Sequence, residues 1–278
     1  MSRSPVLLGI VNVTEDSFSD GGVYLNPDAA LAHARALAVE GADIIDLGAA
    51  ASNPRAKSVP PETEIARLAP LVEALKADRI KISIDSFAPE TQRWALQERV
   101  DVLNDIHGFP QTEIYPALAR SNTKLIVMHA LRNDGPARRE DQTPPNLFER
   151  ILGFFEQRVA ALTSVGIDRR RLILDPGMGL FLGNDRRASF EVLRRLAQLK
   201  DAFGLPILIS VSRKSFLRPE GRKAAESGAS TLAVELFAAA QGADYIRTHD
   251  PRALRDGLFT MRALEAENSN QITEARLL

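Results

Sequence analysis

The sequence predicts an α/β protein built as a single (β/α)8 barrel, and three observations predict it. Eight short runs rich in Val, Ile and Leu recur along the 278 residues, each reading as a strand buried on both faces. Every run ends in a polar residue suited to chemistry, and in such a barrel the carboxyl ends of the strands converge on one rim. The strand ends recur roughly once per 34 residues, near the 30 or more of one βαβ unit. An open, doubly wound sheet is the competing architecture, but it needs a switch point and usually fewer strands.

The elements follow in order. Val6 to Val11 ends at Asn12. Asn26 caps a helix with Pro27 in its first turn, where a missing N–H is harmless; Leu31, Ala34 and Ala38 share a face, and Gly41 ends it. Asp43-Ile44-Ile45 ends at Asp46, and Pro61 opens a helix with Ile65, Leu68, Val72 and Leu75 at helical spacing. Ile82-Ser83-Ile84 ends at Asp85, followed by a short helix from Pro89 to Leu96. Val102-Leu103 ends at Asn104, and Leu125 to Met128 ends at His129. A long apolar stripe from Leu147 to Leu162 stops at Gly166. Leu172-Ile173-Leu174 ends at Asp175, and the stripe Phe190, Leu193, Leu196, Leu199 stops near Gly204. Ile207 to Val211 leads into Ser212-Arg213-Lys214, with Leu232, Leu236 and Ala239 in the next helix. Tyr245-Ile246 ends at Arg247-Thr248-His249, and the last helix covers about Leu254 to Glu267. Residues 268–278 read as a frayed polar tail, so one domain takes up residues 1–278. Gly41-Ala42-Asp43-Ile44-Ile45-Asp46 is echoed by Gly242-Ala243-Asp244-Tyr245-Ile246-Arg247, as a repeated unit requires.

Composition narrows the function. The formal charge is −1, from 35 basic and 36 acidic residues, so no basic surplus argues for nucleic acid. Cysteine is absent, which excludes disulfides and thiolate metal sites. No run approaches the ~18 apolar residues of a membrane span, and the N-terminal stretch reads as a first strand and not as a signal peptide. The expectation is a soluble, cytoplasmic protein.

Four segments carry chemistry. Asn12 to Gly22 is a polar loop after the first strand that ends in a Gly pair, suited to a mobile lid or simply a solvated loop. Asp175-Pro176-Gly177-Met178-Gly179 puts a carboxylate at a buried strand end, where it needs a fixed donor partner. A flat heterocycle with adjacent ring N–H and exocyclic amine offers a two-pronged match; capping of the next segment is the plainer reading. The glycines after it miss the dinucleotide fingerprint by one residue. Ser212-Arg213-Lys214-Ser215 forms an anion-friendly corner, with Ser215 expected to open a helix. Arg247-Thr248-His249-Asp250 suits a phosphate or pyrophosphate, unless Asp250 pairs with Arg247. Of the four histidines, His33 reads as solvent-facing and His107 as loop or rim. With no zinc spacing, the plausible metal is a hard cation such as Mg2+ on oxygen ligands, with Asn12 its protein ligand.

Laid end to end, these motifs resemble the dihydropteroate synthase family over almost the whole chain. The matching pieces are Gly9-Ile10-Val11-Asn12-Val13-Thr14 with Asp16 to Gly22, Ile44-Ile45-Asp46-Leu47-Gly48, Ile84-Asp85-Ser86, Asn104-Asp105-Ile106, Met128-His129, Leu174-Asp175-Pro176-Gly177, Ser212-Arg213-Lys214-Ser215 and Arg247-Thr248-His249-Asp250. The resemblance implies a TIM barrel that joins p-aminobenzoate to 6-hydroxymethyl-7,8-dihydropterin diphosphate and releases pyrophosphate. It implies that Asp85, Asn104, Asp175 and Lys214 hold the pterin, and that Asn12 binds Mg2+. Arg247 and His249 would take the diphosphate, and Ser215 the p-aminobenzoate carboxylate. Asp85, Lys214 and Arg247 would form the catalytic set, with Ser52, Met128, Leu180 and Phe181 also lining the substrates. The implied chemistry is dissociative, needs no activated nucleophile, and rests on positioning and electrostatics. The family also implies a homodimer through late barrel helices.

Two departures stand out. Where ordinary members read Gly-Glu-Ser-Thr-Arg-Pro, this chain has Ala49-Ala50-Ala51-Ser52-Asn53-Pro54, so Asn53 replaces a cation. Where they read Phe-Gly-Phe-Gly-Lys, it has Met178-Gly179-Leu180-Phe181-Leu182-Gly183. Both changes, with Phe109-Pro110, resemble the sulfonamide-resistant branch, and Phe181 is expected to exclude the drug's extra bulk while admitting p-aminobenzoate. Two other readings remain at this point: a pterin-binding methyltransferase, which has no use for a p-aminobenzoate corner, and a non-catalytic pterin-binding barrel.

Overall fold

The computed structural model describes residues 4–14, 26–50, 59–132, 135, 137–218 and 223–275. Those residues alternate strand and helix from end to end. β1 (Val6–Asn12), α1 (Pro27–Val39), β2 (Ile44–Gly48), α2 (Pro61–Ala77), β3 (Ile82–Asp85) and α3 (Pro89–Gln97) come first. β4 (Val102–Asp105), α4 (Tyr115–Arg120), β5 (Lys124–Met128), α5 (Leu147–Ser164) and β6 (Leu172–Asp175) follow. α6 (Arg186–Arg194), α7 (Leu196–Phe203), β7 (Leu208–Ile209), α8 (Gly228–Ala240), β8 (Tyr245–Thr248) and α9 (Pro251–Ala275) complete the order. All pairings are parallel: β1 to β6 lie side by side in sequence order, β8 pairs with β1, and β7 with β8. The two remaining edges meet where Leu174 bridges to Ile207 and its N–H bonds the Pro206 carbonyl at 2.9 Å. The sheet therefore closes into a barrel, and the open doubly wound alternative is excluded.

Strand alternation explains both the core and the site. Successive side chains point to opposite faces. Outward residues such as Leu7, Ile45, Ile84, Leu103, Val127, Leu174 and Ile209 join the helices in one large apolar cluster. Each fully buried aliphatic side chain there contributes about 1.5–3 kcal/mol. Inward residues form a separate, smaller plug of Leu8, Ile44, Val102, Ile126, Ile173, Leu208 and Tyr245. Two residues further along the same strands, alternation brings Asp46, Asn104, Met128, Asp175, Ser210 and Arg247 to the same interior. The polar strand ends are thus the layer above an apolar plug.

Several local expectations are refined. Asn26 caps α1 as read, its side-chain oxygen accepting the Asp28 N–H at 2.9 Å. The buried stripe of α1, however, is Ala30, Ala34 and Leu37. The single helix expected over Phe190 to Leu199 is broken at Arg195 (φ −104°, ψ 13°), whose guanidinium stacks on the Phe148 ring at 3.6 Å. The last helix begins at Pro251 and runs to Ala275, past the expected end at Glu267; no Gly or Pro stands there to stop it. No helix among the described residues is long and apolar enough to cross a membrane.

Candidate active site

The barrel register lines up the first row of the rim. Asn12 pairs with Gly48, Gly48 with Asp85, and Asp85 with Asn104, across four adjacent strands. The bare Gly48 leaves open the space between Asn12 and Asp85: the Asn12 Oδ1 and the Asp85 Cβ each lie 3.7 Å from where a Cβ would stand. Arg247 reaches in from β8 and holds two acids at once, with Nε 2.5 Å from Asp46 Oδ2 and Nη2 2.8 Å from Asp85 Oδ2. Burial pushes Asp85 up to about 7, and Asp46, Asp105 and Glu64 push the same way against the pull of Arg247. Burial alone would lower Arg247, but Asp46 and Asp85 outweigh it and hold the guanidinium charged above its ordinary value.

Across the mouth, Asp175 at the end of β6 is 3% exposed, and its Oδ1 accepts the Gly177 N–H at 2.8 Å. Gly177 sits at φ +74°, and a Cβ there would lie 2.3 Å from the His129 carbonyl, so the turn that supplies this N–H admits glycine alone. Burial lifts Asp175 to about 6 against Lys214. Lys214 is lowered to about 8, first by burial and then by Arg247, with Asp175 opposing. Its Nζ donates to the Met178 carbonyl at 3.1 Å and stands 5.1 Å from the centre of the Phe181 ring. Asp175 and Lys214 therefore meet at one mouth.

An apolar wall completes this side. Met128, in register with Asp175, packs with Ile106 and Ala130, flanked by Phe87 and Phe181. The loop carrying Leu180 and Phe181 is stitched to the loop after β5. The Leu131 N–H bonds the Phe181 carbonyl at 3.0 Å, and the Thr143 hydroxyl bonds that of Leu182 at 2.8 Å.

The third corner joins the ends of β7 and β8. The Ser212 hydroxyl accepts the His249 N–H at 3.2 Å and lies 2.9 Å from His249 Nδ1. With that hydroxyl donating to Nδ1, the imidazole is the Nε2–H tautomer, an assignment made from the network. Burial, then the charges of Arg213, Arg247 and His33, push His249 well below its ordinary value. His33 is thus half-buried on α1 and near enough to act on His249, contrary to its solvent-facing reading. Ser215 is exposed and opens only a single 3-10 turn, Ser215–Leu217, and not the expected helix; α8 begins at Gly228. Ser52, Asn53 and the Asp16 to Gly22 lid lie outside the described residues.

Sequence reasoning gave no role to the layer behind the rim. Asp46, 0% exposed, anchors Arg247. The Gln92 side-chain amide bridges Asp105 Oδ2 at 2.8 Å and the Ser86 carbonyl at 2.9 Å, while the Ser86 hydroxyl donates to Glu64 at 2.6 Å. Asp46 was visible as a strand end; Glu64, in the first turn of a helix, looks like any acid favoured there. Among the described residues, no group of three or more His, Cys, Asp or Glu is arranged to hold a metal.

Comparison with known proteins points the same way. The family model described as pterin binding enzyme matches residues 8–249. Dihydropteroate synthase type-2 of Escherichia coli is 56% identical over 266 residues, covering 95% of this chain and 98% of the relative. Dihydropteroate synthase type-3 of Escherichia coli is 48% identical over 259 residues, covering 93% and 98%. The solved dihydropteroate synthase of Xanthomonas albilineans with 4-aminobenzoic acid superposes with a TM-score of 0.85 at 33% identity, covering 95% of this chain and 94% of that one.

Proposed function

The chain belongs to the pterin binding enzyme family, and we propose how its own residues perform the reaction of the family's dihydropteroate synthases. The activity is that of a folate-biosynthesis transferase, joining 6-hydroxymethyl-7,8-dihydropterin diphosphate to p-aminobenzoate with release of pyrophosphate. In this reading the pterin lies between Asp175 and the Asp85–Asn104 row. Asp175 accepts the ring N–H and the exocyclic amine, supported by its burial and by the single backbone donor it already holds. The buried Asn104 Oδ1 has no protein partner, and an unpaired buried acceptor is costly until a ligand donor meets it. The facing of Asp85, Asn104, Asp175, Lys214 and Arg247 across one mouth is the observation that carries this reading.

Catalysis is then electrostatic. Arg247, locked by Asp46 and Asp85, and His249, locked by Ser212, receive the diphosphate and stabilise the charge that builds as the methylene C–O bond breaks. Lys214 supports the pterin between Asp175 and the developing anion. The amine of p-aminobenzoate forms the new C–N bond and then loses a proton. Ser215 and the wall of Met128, Leu180 and Phe181 receive that substrate. Asn12 and the substrate's phosphate oxygens suit Mg2+, which prefers oxygen ligands and keeps few protein contacts. When bound, the ion neutralises phosphate charge. Release of pyrophosphate that requires both the pterin diphosphate and p-aminobenzoate is the test; release with the pterin diphosphate alone, or none with both, contradicts the reading.

Three finer points complete the proposal. Phe181, fixed by the loop stitching and beside Lys214, rejects a sulfonamide's extra bulk; a steric difference of about 1–3 kcal/mol shifts relative affinity roughly 10–200-fold. Phe181→Ala should lower the inhibition constant of sulfamethoxazole relative to the KM for p-aminobenzoate, and an unchanged ratio removes this role. The chain pairs with a second copy through α8 and α9, supported by Phe237, Phe259 and Leu264, exposed by 40%, 74% and 55%. Light scattering that reports a monomer at micromolar concentration contradicts it. The enzyme works in the cytoplasm, in keeping with the cysteine-free sequence.

A further inference from the structure

The geometry points to Thr231 and Glu235 of α8 as positioning residues for the diphosphate corner, fixing the β7 loop against the end of β8. The two lie four residues apart, hence on one face of the helix, and both are buried, at 6% and 1% exposure. Thr231 Oγ1 accepts the backbone N–H of Arg213 at 3.2 Å. Arg213 sits at φ +59°, a left-handed conformation that a non-glycine residue holds only when its surroundings impose it. One turn further along α8, the Glu235 carboxyl lies close enough to the hydroxyl of Thr248, the residue between Arg247 and His249, for that hydroxyl to pull its pKa down against burial. Thr248 Oγ1 in turn accepts the Asp250 N–H at 3.2 Å. With Ser212 bonded to His249 across the gap, the three links form a closed circuit around the ends of β7 and β8. Burial pushes Glu235 up to about 8, so at neutral pH it acts as a neutral hydrogen-bonding group. Its Oε1 has no partner, an unusual burden on a helix otherwise rich in Ala and Leu. None of these atoms touches the proposed substrates; they act through Arg213, Arg247 and His249.

This inference rests on the reading that Arg247 and His249 take the diphosphate, and the experiment separates the two. Pyrophosphate binding is measured by titration calorimetry, with steady-state KM values and melting temperatures, for Thr231→Val, Thr231→Ser, Glu235→Leu, Glu235→Gln and, as reference, His249→Gln. Thr231→Val and Glu235→Leu should each weaken pyrophosphate about tenfold and raise the KM for the pterin diphosphate similarly, as loss of one buried hydrogen bond does. The KM for p-aminobenzoate should change less than about twofold, and the Ser and Gln variants should recover near wild-type values. Unchanged pyrophosphate affinity in Thr231→Val and Glu235→Leu, with a loss in His249→Gln, overturns the positioning role. Unchanged affinity in all three overturns the diphosphate reading and this inference with it. Equal losses in the Ser and Gln variants also overturn it. If Glu235→Leu does not fold, Thr231→Val, which exchanges one hydroxyl for a methyl, carries the test alone.

Discussion

The two mouths of the barrel use the same residue type in opposite ways. At the amino ends of the strands, Asp43, Asp101 and Asp244 each accept a backbone N–H from a neighbouring strand: that of Leu7 at 2.7 Å, Ile82 at 2.9 Å and Ile207 at 2.9 Å. Arg255 and Lys200 pair with Asp43 and Asp244 as well. These carboxylates are committed to holding strand to strand. At the carboxyl ends, Asp46, Asp85 and Asp175 face one another and two cations across a shared space, and Asp85 and Asp175 are pushed towards neutral pH. A cavity of about 910 Å³ opens at the amino-end mouth beside Lys81, Arg99, Arg120, Lys124 and Tyr245. An acid is structural where backbone saturates it and chemical where it is left to face other charges; cavity size does not tell the two apart.

Substitutions at the two mouths should therefore separate activity from stability. Asp175→Ala should have the largest effect: turnover falls to background and pterin binding is lost, while the melting temperature does not drop, because a costly buried carboxyl is removed. Turnover near wild type would remove Asp175 from the site. Lys214→Ala should lower kcat about 100-fold or more, the scale of losing one preorganised charge contact; steady-state kinetics decides. Asp101→Ala should do the reverse, costing about 1 kcal/mol of stability by stripping the Ile82 N–H of its acceptor. Its kcat/KM should stay within about twofold, as denaturant titration and kinetics together would reveal.

The pH dependence sharpens the comparison, because Asp85, Asp175 and Lys214 at the carboxyl-end mouth are each shifted towards neutrality. Asp175 must be ionised to accept two N–H donors, so kcat/KM should fall as pH drops through about 6, with Asp85 at about 7 adding to that limb. Lys214 must be protonated, so the rate should also fall above about 8. A bell between these limits reports the free enzyme, and a profile flat from pH 5 to 9 contradicts the assignment. The smallest effect is expected from His33→Ala. Turnover should be nearly unchanged, but removal of a nearby positive charge should let the His249 pKa rise, visible in an NMR titration.

Much of this mouth was legible in the sequence. Continuous Val, Ile and Leu runs marked both-faces-buried strands, and the polar residues that ended them, Asn12, Asp85, Asn104, Asp175 and Arg247, proved to share a rim because the sheet closes. What was not legible depends on long-range register. The Arg247–Asp46 pair joins residues 201 apart, and no local pattern specifies it. Of the expected α8 face Leu232, Leu236 and Ala239, only Ala239 is buried; Leu232 and Leu236 are half-buried, with Leu236 packing beside Gly257 of α9. The buried face carries Thr231 and Glu235 instead, because the helix serves both the barrel and its neighbour. A lone acid in that apolar helix was the available signal. α4 was missed because six residues make too short a period to detect.

A crystal structure of the enzyme with the pterin, pyrophosphate and p-aminobenzoate tests the central claim most directly. The account predicts the pterin edge hydrogen-bonded to Asp175 beside Asn104, and pyrophosphate against Arg247 and His249 at the carboxyl-end mouth. Ligand density in the amino-end cavity, or a pterin out of reach of Asp175, would contradict it.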